Sequence, residues 1–86
     1  MLETRQGAKY ISAFHEKHPN SVCIESQVKI FSFSDLHEHA TWGKENLNHD
    51  ALIVFKKRSD DFSAGEFLLW FLTDETDAMA VKLRWT

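Results

Sequence analysis

The sequence has few of the residues that cross-link or interrupt a chain: one cysteine, one proline and three glycines among 86 residues. A lone cysteine excludes an internal disulfide, so Cys23 is interpreted as a small apolar residue of a strand in a protein of a reducing compartment. Apolar runs are also short, well below the roughly 18 residues that cross a membrane, and Met1–Tyr10 is too polar for a signal peptide. These absences predict a cytoplasmic protein.

Positive charge is scarce as well. Lys and Arg number 10 against 13 Asp and Glu, which gives a formal net charge of −3. This balance argues against a general electrostatic grip on nucleic acid, whose phosphates are bound mainly by Lys and Arg. The sequence also lacks the CxxC and HExxH motifs of metal sites, a complete calcium loop, and a nucleophile with an orienting partner. We therefore expect no catalytic residues, no metal and no cofactor, and we favour a non-enzymatic protein.

What the sequence does contain is apolar surface. Hydrophobic residues make up 43% of the chain and aromatic residues 13%, which predicts one globular domain over residues 1–86. Glu66–Leu72 carries six consecutive apolar residues, and Ala51–Phe55 is apolar throughout. Because neighbouring side chains of a strand point to opposite faces, both segments are predicted to be interior strands that are covered on both faces.

The remaining segments predict two helices and two further strands. Leu2–His18 has apolar residues at helical spacing and should end before Pro19, while Asp35–Gly43 should form a second helix capped by Ser34. Ser21–Phe33 is rich in β-formers, and Ala78–Trp85 alternates between apolar and polar residues as a half-exposed edge strand does.

These elements predict an α+β fold with the order α-β-α-β-β-β. The sheet should have four strands and be mostly antiparallel, with both helices on one face. The crossover from Ser21–Phe33 to Ala51–Phe55 is long enough to make those two strands parallel, but the place and direction of Ser21–Phe33 in the sheet stay open.

Chain direction then places charged residues at the two ends of the sheet. The acidic pole should gather His49, Asp50, Thr73, Asp74, Glu75 and Asp77, joined by His15, His18 and Asn20 if the crossover is parallel. The basic pole should gather Lys56, Lys57, Arg58, Lys82 and Arg84, near His37 and His39. The acidic pole supports metal binding as an alternative function, since histidine and carboxylate suit zinc. The basic pole supports nucleic-acid binding or a small ribonuclease as the other alternative.

The leading prediction comes from the sheet face that two helices on one side would leave bare. Leaving about 400 Å² of apolar surface in water would forgo about 10 kcal/mol, at roughly 25 cal/mol per Å². We therefore predict a protein that acts by protein–protein binding, as a regulator, adaptor or inhibitor, and forms a homodimer through this face or an edge strand. The predicted contact residues are Phe67, Leu68, Trp70, Leu72 and Trp85.

Overall fold

The computed structural model describes residues 2–6, 9–55 and 68–86, which form four strands and three helices. In chain order they are β1 (Leu2–Gln6), α1 (Lys9–Lys17), β2 (Val22–Glu25), α2 (Phe33–Asn46), β3 (Ala51–Phe55), β4 (Leu69–Leu72) and α3 (Glu75–Trp85). The α+β class is confirmed. The predicted order of elements is wrong at both ends of the chain, because a strand precedes the first helix and a helix follows the last strand.

The four strands form one sheet in the order β1-β3-β4-β2. β1 runs parallel to β3, whereas β4 is antiparallel to both of its neighbours, β3 and β2. The predicted four-stranded sheet is therefore mixed, with two antiparallel pairings and one parallel pairing. β2 and β3 run parallel, as the crossover between them allows, and β4 lies between them in the sheet, which fixes the strand order that the sequence left open.

The amino-terminal helix is shorter than predicted. Lys9–Lys17 is helical and ends before Pro19 as expected, but Leu2–Gln6 is strand β1. β1 pairs with β3 from Leu2 opposite Ala51 to Gln6 opposite Phe55. Five residues without β-branched or aromatic enrichment carry little strand signal of their own, so this strand is decided by its pairing with β3.

The predicted edge strand Ala78–Trp85 is the largest error, because it is part of helix α3. Asp74 begins this helix, since its Oδ2 accepts hydrogen bonds from the backbone N–H of Thr76 (3.0 Å) and of Asp77 (3.2 Å). The residues buried in α3 include Ala78, Val81 and Trp85, which follow helical and not alternating spacing. Among the residues that made the sequence alternate, Met79 is 64% exposed and Leu83 is 83% exposed.

Helix α2 begins and ends at different residues from those predicted. Ser32, not Ser34, is the N-cap: its hydroxyl accepts the N–H of Asp35. The helix passes through Gly43 to Asn46, so Gly43 is not a terminator. A Cβ atom at Gly43 would lie 2.6 Å from Leu2 Cδ2 and 3.3 Å from Trp70 Cζ3. This glycine therefore serves the close approach of α2 to the sheet.

Both faces of the sheet are covered. Helices α2 and α3 cover one face, where their side chains join a core that includes Ile53 and Trp70. Helix α1 covers the other face and places Phe14 against Leu52, Val54 and Phe71. The prediction that both helices share one face and leave the other bare is therefore wrong. None of the described helices has the length and apolar character needed to cross a membrane.

Candidate partner-binding surface

Four of the five residues predicted to contact a partner lie in the core. Leu68, Trp70, Leu72 and Trp85 are each between 0% and 2% exposed. Phe67, the fifth of them, lies outside the described residues. Side chains this deeply buried hold the fold and offer no surface, so these four residues cannot form a partner-binding surface.

The basic pole is described only in part, because Lys56, Lys57 and Arg58 lie outside the described residues. Arg84 lies near Glu38, with 3.8 Å between Nη2 and Oε1, and its guanidinium stands 4.0 Å from the ring centre of Trp85. The stated nucleic-acid alternative therefore stays a prediction.

His39 is a core residue and not a reactive group of the basic pole. It is 2% exposed, its ring stacks on Trp85 with centroids 3.7 Å apart, and its Nδ1 donates to the carbonyl oxygen of Asp35 at 2.8 Å. Removal from water lowers the pKa of His39. An imidazole buried in the core cannot reach a nucleic-acid substrate, which removes His39 from that hypothesis. His37 is exposed.

The acidic pole does assemble where chain direction placed it. His49 Nδ1 lies 3.4 Å from Asp77 Oδ2 and 3.7 Å from Asp74 Oδ2. His18 Nε2 lies 3.7 Å from Asp50 Oδ2, so the end of α1 also reaches this pole. One ligand atom from each of His49, Asp74 and Asp77 lies within 4.8 Å of the other two.

The carboxylates of Asp74 and Asp77 already accept hydrogen bonds from backbone N–H groups. Asp77 is 2% exposed, and it accepts the N–H of Asn48 at 3.2 Å and the N–H of His49 at 3.0 Å. Asp74 caps α3, and both acids lie in the first turn, where helix N–H groups favour negative and oppose positive charge. The cluster therefore ties the α2–β3 connection to the start of α3.

Strand β2 is an edge of the sheet, and on its outer side the carbonyl oxygen of Glu25 accepts a long hydrogen bond, 3.5 Å, from the exposed side-chain amide of Gln27. Ser26 N–H donates to the carbonyl oxygen of Leu68 at 2.9 Å, which sets the phase of the antiparallel ladder. Ile24 therefore turns its backbone groups toward β4, while Cys23 and Glu25 turn theirs away from it. Within residues 2–6, 9–55 and 68–86, no strand pairs with that outer side.

A groove separates β2 from helix α3 and encloses about 580 Å³. Its apolar lining includes Val22, Ile24, Leu72, Ala78 and Met79, with Asp74, Glu75 and Lys82 among the charged lining residues. Val22 is 47% exposed. We call the outer side of Val22–Glu25, together with this groove and the exposed side of α3, the β2–α3 flank.

Known proteins give no further guide to this surface. No family model, curated protein or solved structure matches the chain. Function is therefore inferred from the surface chemistry of the described residues.

Sequence reasoning missed this flank because it assigned α3 to a strand. The signal was present: Asp74 with Asp77 three residues later is a helix start of the capping-box kind, where a short acceptor side chain precedes an acid. Cys23 was also misassigned. It belongs to a strand as expected, but it is exposed and is not a core residue. Partial burial and the Glu25 carboxylate raise the pKa of its thiol, which disfavours the reactive thiolate.

Proposed function

We propose that this protein acts without catalysis, by binding protein through the β2–α3 flank. The observation that carries the proposal is the outer side of β2, whose outward N–H and C=O groups at Cys23 and Glu25 border an apolar groove. An added strand would take its affinity from main-chain hydrogen bonds to these groups and its specificity from side chains that enter the groove.

The composition of β2 supports this use. Natural edge strands are usually blunted by lysine, proline or inward-pointing charge, because an open edge recruits other strands. The strand Val-Cys-Ile-Glu carries only Glu25 as a charged residue, and Val22 remains 47% exposed beside the groove. Burying Val22 and Met79 against a partner would remove apolar surface from water, which favours association.

The single cysteine makes a direct test possible. A benzophenone maleimide is attached to Cys23 at mildly alkaline pH, since the raised pKa slows reaction at neutral pH. The labelled protein is returned to cells of its source and irradiated. We expect a protein adduct that disappears when Met79→Lys is also present. The control carries Cys23→Ser with Glu16→Cys, which moves the label to an exposed position on α1. Equal adduct yields from both positions, or no adduct from Cys23, would contradict the proposal.

Metal binding is the second candidate, and it is favoured by one observation, the approach of His49, Asp74 and Asp77 to within 4.8 Å. Titration calorimetry with zinc decides between a metal site and a capping cluster. Stoichiometric zinc uptake that His49→Ala abolishes would support a metal site. Absence of zinc uptake would support a capping cluster, because the hydrogen bonds from Asp74 and Asp77 to backbone N–H groups need no metal.

A further inference from the structure

We propose that the protein bound at the β2–α3 flank is a second copy of this chain, related by a twofold axis. The inference rests on the proposed function and names its partner. The axis would pair β2 with β2 of the second copy in antiparallel fashion and would set the two α3 helices side by side. Three separate properties of the flank support this arrangement.

The first property is the backbone ladder. Helix α3 and strand β2 run in the same direction. Val22, at the start of β2, pairs with Leu72, which is followed closely by the start of α3. Just after the end of β2, Gln27 N–H donates to the carbonyl oxygen of Trp85, the last residue of α3. Met79 is six residues before Trp85, a rise of about 9 Å, which equals roughly three residues of strand. Met79 therefore lies level with Ile24.

An axis at Ile24 suits the outer side of β2. It places Cys23 opposite Glu25 of the second copy and Glu25 opposite the other Cys23. These are the residues whose N–H and C=O groups face outward, so the two strands can exchange four hydrogen bonds. A shift of the pairing by one residue, with the axis between two residues, would set these outward groups opposite residues that bond to β4 and would form none of the four; the level of Met79 then selects Ile24 among the registers that allow hydrogen bonds.

The second property is distance. Neighbouring strands lie about 4.8 Å apart, and α3 contacts both β2 and β4, so its axis stands about half a strand spacing inside β2. The two α3 axes would then be about 10 Å apart, which is within reach of the usual 8–10 Å for packed helices. Met79 of each copy would meet at the axis, over the groove.

The third property is charge. Glu75, Met79 and Lys82 are spaced four and three residues apart, so they share one side of α3. A twofold axis at Met79 makes the two α3 helices antiparallel. Glu75 of each copy then lies opposite Lys82 of the other, which gives two pairs of opposite charge. A foreign strand could use the backbone edge, but only a second α3 supplies this reciprocal pattern. That is why a second copy is preferred to another partner.

The test is the solution mass of the full chain by sedimentation equilibrium, with charge-reversal variants. We expect twice the 10.0 kDa mass of one chain at micromolar concentration. Glu75→Lys alone and Lys82→Glu alone should each raise the dimer Kd about tenfold or more, because each variant sets like charges together at two places. The double variant should restore dimerisation. Lys44→Glu, an exposed change in the last turn of α2, should leave the Kd unchanged.

The double variant separates binding from folding. Each single change opposes the α3 dipole, so a folding defect would be worse in the double variant and could not be rescued by it. A chain that is still monomeric at a concentration about 100 times above the micromolar range, where a dimer is expected, overturns the twofold dimer. So does a dimer that neither single variant weakens. If the chain is monomeric but Cys23 still yields the Met79-dependent adduct with another protein, the proposed function stands and only the second copy is refuted.

Discussion

Replacing Asp77 should show how strongly the acidic cluster holds the fold together. The Asp77 carboxylate is 2% exposed and accepts the N–H groups of Asn48 and His49, which belong to the connection between α2 and β3. It also lies 3.4 Å from His49 Nδ1. Asp77→Ala removes the acceptor for both N–H groups and leaves a space at the first turn of α3.

The magnitude follows from these contacts. Hydrogen bonds to a charged group contribute about 1.5–3 kcal/mol each, so two would give about 3–6 kcal/mol if the donors stayed dry. Asn48 and His49 are exposed, so water can reach the freed N–H groups and the cost should fall to about 2–3 kcal/mol. The His49 contact adds less than about 1 kcal/mol, since His49 is half exposed. A loss of this size is a large share of the roughly 5 kcal/mol that stabilises a small domain.

Urea unfolding followed by tryptophan fluorescence measures the change, with all variants at the same protein concentration because an associating chain gains stability by mass action. Asp77→Asn keeps one acceptor oxygen and should lose only about half as much as Asp77→Ala. Glu45→Ala, an exposed change on α2, should stay within about 0.5 kcal/mol of the parent. A loss below about 1 kcal/mol for Asp77→Ala would refute the reasoning, because it would mean that water replaces the carboxylate without cost.

Three further predictions concern helix α2. His39→Phe should flatten the loss of melting temperature between pH 7 and 5. Burial lowers the pKa of His39, so its contribution to stability is present above the unfolded value of about 6.5 and is lost as the pH falls through the folded pKa; parallel melting curves would contradict this. Gly43→Ala should destabilise by about 1 kcal/mol, because overpacking against Trp70 outweighs a helix-propensity gain of at most about 1 kcal/mol, and a rise in melting temperature would contradict it. Ser32→Ala should cost about 1 kcal/mol in urea unfolding and Ser34→Ala almost nothing, since Ser32 is the cap; equal effects would contradict the assignment.

The parts of the fold that could be predicted are those encoded locally. Ala51–Phe55 is apolar at every position, which predicts an interior strand, and the structure has it as the buried strand β3. Pro19 predicts the end of α1 independently of the residue at which that helix begins. The acidic pole could be placed because the end of β4 meets the start of β3 in any antiparallel pairing of those strands. In Ala78–Trp85 the apolar residues fit both a twofold and a helical period, and only the cap at Asp74 decides between them.

The sheet face that α1 covers could not be predicted because it depends on β1, the strand with the least local signal. With β1 missing, α1 had no crossover of its own and was assigned to the same face as α2. In the structure, the chain crosses the sheet from β1 to β2 through α1 and returns from β2 to β3 through α2. Crossover connections between parallel strands are right-handed, and these two cross the sheet in opposite directions. Their helices, α1 and α2, therefore lie on opposite faces of the sheet.

Among the described residues, this topology covers both faces of the sheet and leaves the edge strands β1 and β2 with backbone that could pair with another chain. The two edges differ in charge. β1 carries Glu3 and Arg5, whose side chains approach to 3.5 Å, and such charges blunt an edge against pairing. β2 carries Glu25 alone, beside a groove that exposes Val22 and Met79. Of the two edge strands, β2 is therefore the one whose chemistry favours a second chain.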